Sequence, residues 1–135
     1  MIVVDASVAL DFVLGAGSPA GDSMAEYLQT GETLAAPHLV DAEVGQGLRR
    51  FTIHGDLTPD DARSHVSDFL DVPIQRYPHT GLLNRAFEFR ASVTVYDGLY
   101  LALAEALDCR LLTGDAAHAK VPNCDAAVEV LPTSG

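Results

Sequence analysis

Four acidic residues lie where the sequence predicts metal or substrate chemistry in an α/β fold. Asp5 and Asp115 each follow a short apolar run, which is typical of a buried parallel strand. Asp97 lies in the first turn of the helix that leads into the second of these strands, and Glu43 lies within an earlier helix. Ligands of open α/β sheets bind beyond the carboxyl ends of the strands. We therefore expect Asp5, Asp97 and Asp115 to share one edge of the sheet, with Glu43 as the fourth candidate.

Converging carboxylates have a restricted chemistry. They repel one another and are costly to remove from water, so a cluster of them needs protons or cations to neutralise it. Mg²⁺ and Mn²⁺ prefer oxygen ligands, and such an ion activates water and stabilises a phosphoryl group under attack. Because the chain has these acids but no basic cluster and no nucleophile motif, the pattern favours metal-dependent cleavage of phosphodiester bonds.

Each acid taken alone also has a structural explanation. Asp5 would cap a helix, and Asp97 would form a capping box with Thr94. Asp115 would be a turn residue, and Glu43 a solvated helix residue. With 19 acids in the chain, any single one is more often structural than functional. It is the combination of positions that favours the functional interpretation.

The choice of the fourth acid lies between Asp41 and Glu43, of which Glu43 is deeper in the predicted helix. Gly45 and Gly47 follow it, although a glycine inside a helix costs up to ~1 kcal/mol relative to alanine. Either the helix packs tightly against a neighbour at these glycines, or a ligand approaches its backbone closely.

Short strands alternate with helices along the chain, which predicts a parallel sheet covered on both faces. We expect a single α/β domain over residues 1–135, with four to five strands and the run 2–4 at the centre of the sheet. Pro73 marks the start of a strand or a sheet edge, and residues 132–135 are expected to be a frayed tail. The predicted strands cover about residues 2–4, 33–36, 72–77, 109–112 and 127–131, and the predicted helices about 6–14, 20–29, 38–54, 58–70, 79–91 and 95–107.

The charge of the chain limits its partners. The formal net charge is −11, from 8 basic and 19 acidic residues, which argues against non-specific binding to bulk DNA or to an anionic membrane. A nucleic acid can still bind locally, because metal ions invert the sign of the charge at one site. The N-terminus is not a signal peptide and no apolar run is long enough to span a membrane. A cytoplasmic protein with a basic protein partner is therefore expected.

Four segments, in this order and spacing, carry a resemblance to a known family. They are MIVVDAS at the start, APHLVDAEVGQGLRR in the middle, then TVYDGLYLALAEAL and LLTGD. Together they resemble PIN-domain ribonucleases, in particular the VapC-like toxins of bacterial toxin–antitoxin pairs. No single segment is decisive, but the set covers nearly the whole chain.

The resemblance implies RNA cleavage that depends on Mg²⁺ or Mn²⁺, at a parallel sheet with flanking helices. It also implies a homodimer and a cognate antitoxin whose tail covers the active site; the acidic surface here suits a basic tail. The family's catalytic and metal-binding acids map onto Asp5, Glu43, Asp97 and Asp115, and its small hydroxyl positions map onto Ser7 and Thr113.

Two residues depart from the family pattern. Gln46 replaces the more usual Asn one turn from Glu43, and His118 replaces an apolar residue after Asp115. We expect His118 to be exposed, with a base or an RNA contact near the site as the alternative. Arg49 and Arg50 are candidate RNA contacts, because Arg50 is seven residues after Glu43 and lies on nearly the same helix face.

Other α/β classes fit less well. A haloacid-dehalogenase-type phosphatase requires Asp-x-Asp after the first strand, whereas Asp5-Ala6-Ser7 lacks the second acid. A response-regulator receiver requires an early acid pair and a late lysine, and dinucleotide binding requires Gly-x-Gly-x-x-Gly after a strand; neither pattern is present. The remaining alternative is a non-catalytic module of the same fold that binds a partner protein or RNA.

Overall fold

The computed structural model describes residues 1–134 and shows one α/β unit built on a five-stranded parallel sheet. The strands are β1 (Ile2–Val4), β2 (Leu34–Pro37), β3 (Ile74–Tyr77), β4 (Arg110–Thr113) and β5 (Val128–Val130). The helices are α1 (Ala6–Leu14), α2 (Pro19–Gln29), α3 (Leu39–Ile53), α4 (Pro59–Asp71), α5 (Leu83–Glu88) and α6 (Val95–Leu107), with 3₁₀ turns at Thr80–Leu82 and Ala116–Lys120. Within residues 1–134, no helix is long and apolar enough to cross a membrane.

The sheet order is β3-β2-β1-β4-β5, which confirms the predicted central position of the first strand. Ile2 is in register with Leu34 on one side and with Arg110 on the other, and β1 is buried along its whole length. Strand β3 begins directly after Pro73 and lies at an edge of the sheet, where the missing N–H of proline interrupts no ladder.

The order of the strands places a switch point between β1 and β4. The chain moves from β1 outward to β2 and β3, then crosses back to β4 on the other side of β1. Right-handed crossovers, which parallel sheets adopt almost always, place α1 to α4 on one face and α5 and α6 on the other. The contacts agree, because α6 packs on β1, β2 and β4, whereas α1 packs on α2, α3 and α4. The carboxyl ends of β1 and β4 therefore flank the crevice in which such folds bind ligands.

The packing of α3 gives a reason for one of its two glycines. Val44 and Gly47 are buried, whereas Ala42 is exposed. A Cβ added at Gly47 would lie 2.6 Å from Cδ2 of Leu10, so Gly47 lets α1 and α3 pack closely. A Cβ at Gly45 would meet no atom of residues 1–134 within 4 Å. Tight helix packing therefore accounts for Gly47 and leaves Gly45 without a packing reason.

The predicted frayed tail is wrong for residues 132–134, and Gly135 lies outside the described residues. The carbonyl of Pro132 accepts a hydrogen bond from the Ala20 amide at 3.1 Å. The amide and hydroxyl of Ser134 donate to the buried carboxylate of Asp11, at 2.8 and 2.9 Å. The tail is therefore held against α1 and α2, because Asp11 gives its last polar groups a buried acceptor.

Candidate metal centre

Asp5 connects β1 to α1 and is held by three donors. It is the N-cap of α1, and its Oδ1 accepts hydrogen bonds from the Val8 amide at 3.1 Å and from the Ser7 hydroxyl at 2.7 Å. Its Oδ2 accepts a bond from the hydroxyl of Thr113, at the end of β4. Burial raises the pKa of Asp5, and the bonds from Thr113, Ser7 and Val8 oppose part of that rise. The predicted capping role is thus present, and it fixes the carboxylate at the switch point.

Glu43, and not Asp41, faces the same point from α3. The phenol of Tyr100 on α6 donates to Oε1 of Glu43 at 2.7 Å. Asp41 instead accepts two hydrogen bonds of 2.9 Å from Nε of Arg76, at the edge strand β3. Asp41 therefore already has a cation as its partner, whereas Glu43 has a neutral hydroxyl.

The neighbours of Glu43 increase its affinity for protons. Burial is the main reason that the pKa of Glu43 is raised, and the nearby carboxylates of Asp97 and Asp5 add to it. The bond from Tyr100 acts in the opposite direction. Burial, together with the Glu43 carboxylate, also raises the pKa of the Tyr100 phenol, so this phenol stays a donor. Burial and mutual repulsion thus disfavour the ionised carboxylates, and a cation that binds among them removes this cost.

Asp97 lies in the first turn of α6, before β4, and Asp115 caps the 3₁₀ turn that follows β4. The hydroxyl of Thr94 accepts a hydrogen bond from the Asp97 amide at 3.1 Å, so half of the predicted capping box forms. The Asp97 carboxylate turns away from Thr94, and its Oδ2 lies 3.4 Å from Nε2 of His118. Oδ1 of Asp115 accepts a bond from the Ala117 amide at 2.9 Å, which starts the 3₁₀ turn.

His118 is buried, so the prediction of an exposed histidine is wrong. Its side chain is 2% exposed, and its Nδ1 lies 2.9 Å from the hydroxyl of Thr113. The 3₁₀ turn after Asp115 brings the chain back after three residues, which carries His118 under the carboxyl end of β4. The i,i+3 spacing from Asp115 in the sequence was the available signal. Burial lowers the pKa of His118, but the carboxylates of Asp97, Asp5 and Asp115 outweigh burial and the pKa is raised.

These groups line one cleft of about 670 Å³ at the switch point. Of the residues predicted from the sequence, the cleft lining includes Asp5, Ser7, Glu43, Asp97, Asp115 and Arg50, together with Gln46 and His118. Thr113 is fully buried and supports Asp5 from below the cleft. Arg49 is exposed and is not part of the lining. Tyr100, one helical turn after Asp97, also lines the cleft and was not predicted as a site residue.

The cleft suits a divalent cation. One ligand atom each from Asp97, Asp115 and His118 lie within 4.8 Å of one another, and Asp5 is beside them, with its Oδ2 3.9 Å from Nδ1 of His118. Among the ion pairs of residues 1–134, none joins Asp5, Glu43, Asp97 or Asp115 to a lysine or arginine. Oxygen-rich sites without their own cation are the sites that Mg²⁺ and Mn²⁺ occupy.

Comparisons with known proteins identify the family of the chain. The sequence profile of the PIN domain matches residues 2–123. Ribonuclease VapC9 of Mycobacterium tuberculosis is 39% identical over 132 residues, which cover 98% of this chain and 99% of the relative. Ribonuclease VapC1 of the same organism is 37% identical over 130 residues, 96% of each chain. The structure of VapBC2 from Rickettsia felis, bound to a DNA fragment from their promoter, superposes with a TM-score of 0.72 at 17% identity, over 97% of this chain and 99% of that one. The chain therefore belongs to the PIN-domain family, as a VapC-like member.

Proposed function

We propose that this chain is a metal-dependent endoribonuclease, the toxin of a toxin–antitoxin pair, which hydrolyses RNA phosphodiester bonds with Mg²⁺ or Mn²⁺. The observation that carries the proposal is the cleft, where Asp5, Glu43, Asp97 and Asp115 converge and form no ion pair with a lysine or arginine of residues 1–134. The relatives that are named ribonucleases support the substrate class. The whole of residues 1–135 is proposed to be one nuclease domain.

Asp5, Asp97 and Asp115 are proposed to hold the ion, directly or through water. When bound, it supplies Lewis-acid stabilisation of the phosphoryl group and makes water more acidic. Asp5 needs no rearrangement to act, because the hydroxyls of Ser7 and Thr113 and the Val8 amide fix its carboxylate. Fixed ligands of this kind reduce the reorganisation that the reaction requires.

Glu43 is proposed to help bind the ion, or to orient the attacking water and take its proton. A raised pKa brings a carboxylate closer to the operating pH, which favours proton transfer. Tyr100 holds the Oε1 atom of Glu43 at 2.7 Å and leaves Oε2 for this task. Attack by water on the phosphorus would leave a 5′-phosphate and a 3′-hydroxyl, as the family resemblance implies.

Arg50 is proposed to bind a phosphate of the RNA. Its side chain lines the cleft on nearly the same face of α3 as Glu43, whereas the neighbouring Arg49 is not part of the cleft lining. Arg50→Gln should raise KM for a short RNA about tenfold, the size of one lost phosphate contact. Arg49→Gln is the matched control on the same helix, and an equal effect of both variants would contradict a specific role for Arg50.

A cognate antitoxin and a second copy of the chain are the proposed protein partners. The net charge of −11 and the acidic cleft favour an antitoxin tail that is basic. Exposed apolar side chains suited to protein contacts lie on α4 and α5, namely Val66, Leu70, Leu83 and Phe87. Light scattering on the purified chain distinguishes a homodimer from a monomer.

The experiment that tests the proposal is cleavage of RNA by the variant Asp5→Asn at saturating Mg²⁺ or Mn²⁺. Asparagine is as good an N-cap as aspartate, so the start of α1 is preserved while the charge is removed. We expect cleavage to fall by at least about 10³-fold, the loss typical of a removed catalytic group, with an unchanged circular dichroism spectrum.

The control is Asp68→Asn, which removes one charge from the exposed face of α4 and should leave cleavage unchanged. Full cleavage by Asp5→Asn would contradict the assignment of the site. Absence of cleavage by the wild-type chain with either metal would favour the non-catalytic module.

A further inference from the structure

The hydroxyl of Thr113 determines the proton position on His118. A threonine hydroxyl donates one hydrogen bond and accepts up to two. Thr113 accepts a bond from the Asp115 amide at 3.0 Å and contacts both Oδ2 of Asp5 and Nδ1 of His118. An ionised Asp5 can only accept, so the hydroxyl donates to it. Nδ1 of His118, 2.9 Å away, must then donate to the same hydroxyl and carries a proton.

With the Nδ1 position protonated, Nε2 of the neutral imidazole presents a lone pair to the acids. Within residues 1–134, Nε2 is buried and has no hydrogen-bond partner. It lies 3.4 Å from Oδ2 of Asp97 and 4.0 Å from Oδ2 of Asp115. A lone pair that faces two carboxylates is unfavourable unless a positive charge lies between them.

The spacing fits an ion better than a direct hydrogen bond. Charge-assisted hydrogen bonds between nitrogen and carboxylate oxygen are about 2.7–2.9 Å long, and the contact between His118 and Asp97 is 3.4 Å. Two ligand atoms that each lie about 2.1 Å from one ion are roughly 3.0–3.4 Å apart at angles between octahedral and tetrahedral values. The distance from Nε2 of His118 to Asp97 falls in this range, whereas the 4.0 Å to Asp115 is wider and corresponds to a more open angle at the ion. His118 is thus positioned as a fourth protein group around the cation, and the hydroxyl of Thr113 orients its ring from the side away from the ion.

We propose that Nε2 of His118 is a direct ligand of the cation held by Asp97 and Asp115, and that it makes this site select Mn²⁺ and later transition ions over Mg²⁺. Mg²⁺ is bound through oxygen, whereas imidazole nitrogen favours transition metals. The inference rests on the proposed function, because it assumes that the cleft holds a metal. It adds a nitrogen ligand to a site that the sequence presents as carboxylates alone.

The first test measures affinity by calorimetric titration of the untagged chain with Mn²⁺ alone and with Mg²⁺ alone. The variants are His118→Asn, whose amide can still donate to Thr113 but has no atom at the Nε2 position, and His118→Gln, which places an amide oxygen there. We expect His118→Asn to lose about 10–100-fold in Mn²⁺ affinity and less than about threefold in Mg²⁺ affinity. His118→Gln should bind both ions with similar, oxygen-type affinity.

The second test needs no variant. Pulsed electron paramagnetic resonance of the Mn²⁺-loaded wild-type chain should show coupling of the ion to one ¹⁴N nucleus, and selective ¹⁵N labelling of histidine should change that coupling. The other histidines, at positions 38, 54, 65 and 79, are not part of the cleft lining. The same coupling should be absent from His118→Asn.

Two results would overturn the inference while the nuclease assignment stands. One is Mn²⁺ that binds and supports RNA cleavage without nitrogen coupling. The other is His118→Asn binding Mg²⁺ and Mn²⁺ more tightly by the same factor, which would identify His118 as a protonated counter-ion that competes with the metal. Failure of the wild-type chain to bind either ion would instead contradict the proposed function itself.

Discussion

Two groups of partly buried acids in this molecule are neutralised in different ways. On the α5–α6 side, Glu105 forms a bidentate pair with Arg85, with Nε–Oε1 and Nη2–Oε2 distances of 2.7 and 2.9 Å. The amide of Asp125 donates to the same carboxylate at 2.7 Å, and Arg85 also donates to the carbonyl of Asn123 at 2.7 Å. The guanidinium lies 4.5 Å over the ring of Phe89. This acid has its counter-charge inside the fold.

Within residues 1–134, no lysine or arginine forms an ion pair with the cleft acids, and Arg50 in the cleft lining only partly offsets the raised pKa of Glu43. Asp5 and Glu43 receive hydrogen bonds from hydroxyl groups and one amide, and the only basic side chain in ionic contact with Asp97 or Asp115 among residues 1–134 is His118. The pKa values show the difference, since Arg85 lowers the pKa of Glu105 whereas burial raises those of Asp5 and Glu43. A structural acid is stabilised as an anion by the fold, and a site acid is left for an external cation.

Among the variants that compare the two regions, we expect the largest effect for Asp97→Asn, a loss of Mn²⁺ binding and of RNA cleavage. Among residues 1–134, the charge that the variant removes is in ionic contact with His118 alone, at 3.4 Å, so the metal-free fold should lose little stability. Wild-type unfolding should shift upward with Mn²⁺, by about 2.7 kcal/mol at 100 times the dissociation constant. Thermal unfolding with and without Mn²⁺ should show that the variant loses most of this shift. Its rate of RNA cleavage should fall by at least about 10²-fold. An undiminished Mn²⁺ shift would place the ion elsewhere.

The converse change is Arg85→Met, which removes the cation from the structural pair. It should lower the free energy of unfolding by about 2 kcal/mol, because the Glu105 carboxylate loses its cation and keeps only neutral partners such as the Asp125 amide. Urea denaturation measures the loss, and RNA cleavage should be unchanged. The matched control is Arg63→Met, whose pair with Asp60 is exposed and should contribute less than about 0.5 kcal/mol. If Arg85→Met kept its stability and lost RNA cleavage, the assignment of a structural role to the Arg85–Glu105 pair would be wrong.

For Glu43→Gln we expect a smaller effect, a rise in the stability of the metal-free chain where Arg85→Met lowers it. Glutamine keeps an oxygen that accepts from Tyr100 and removes a charge that burial and two neighbouring carboxylates disfavour. The metal-free variant should therefore unfold roughly 2–4 °C above the wild type, the size of a ~1 kcal/mol change, while cleavage falls. Glu26→Gln on the exposed face of α2 is the control. A lower melting temperature for Glu43→Gln would show that the fold stabilises the Glu43 anion.

The smallest expected effect is the pH dependence of the stability gained in Glu43→Gln. Because the folded pKa of Glu43 is raised above its ordinary value of 4.5, its favourable contribution is present below pH 4.5 and is lost as the pH rises through the folded pKa. The advantage of Glu43→Gln over the wild type should thus disappear as metal-free samples are brought from neutral pH to below 4.5. Glu105 has the opposite sign, since its lowered pKa stabilises the fold above 4.5 and less below it. A gain for Glu43→Gln that does not vary with pH would contradict this origin.

Local chemistry made much of the fold predictable. The apolar run Ile2-Val3-Val4 forms the predicted central strand, Pro73 precedes an edge strand, and Thr94 caps the helix for which it was predicted. The positions of the acids at strand and helix ends depend on the same short-range signals. The structure accordingly brings the predicted acids into one cleft, while their roles as ligands remain proposals.

Contacts between distant segments were not predictable in the same way. His118 is buried because a 3₁₀ turn folds it under Thr113, and Tyr100 meets Glu43 across 57 residues of chain. The last described residues are ordered because Ser134 reaches Asp11, which is 123 residues earlier. A polar residue taken alone gives no sign of a buried partner that far away. His118 was therefore expected to be exposed and the tail to be frayed, and both expectations are wrong for the described residues.

The central claim is that the cleft acids hold a divalent cation. Anomalous diffraction from crystals soaked in Mn²⁺ tests it most directly, because the ion is located without reference to activity. We expect the strongest peak within coordination distance of carboxylate oxygens of Asp5, Asp97 and Asp115. A Mn²⁺ peak only at exposed acids outside the cleft, or an empty cleft in crystals that hold Mn²⁺ elsewhere, would contradict the account.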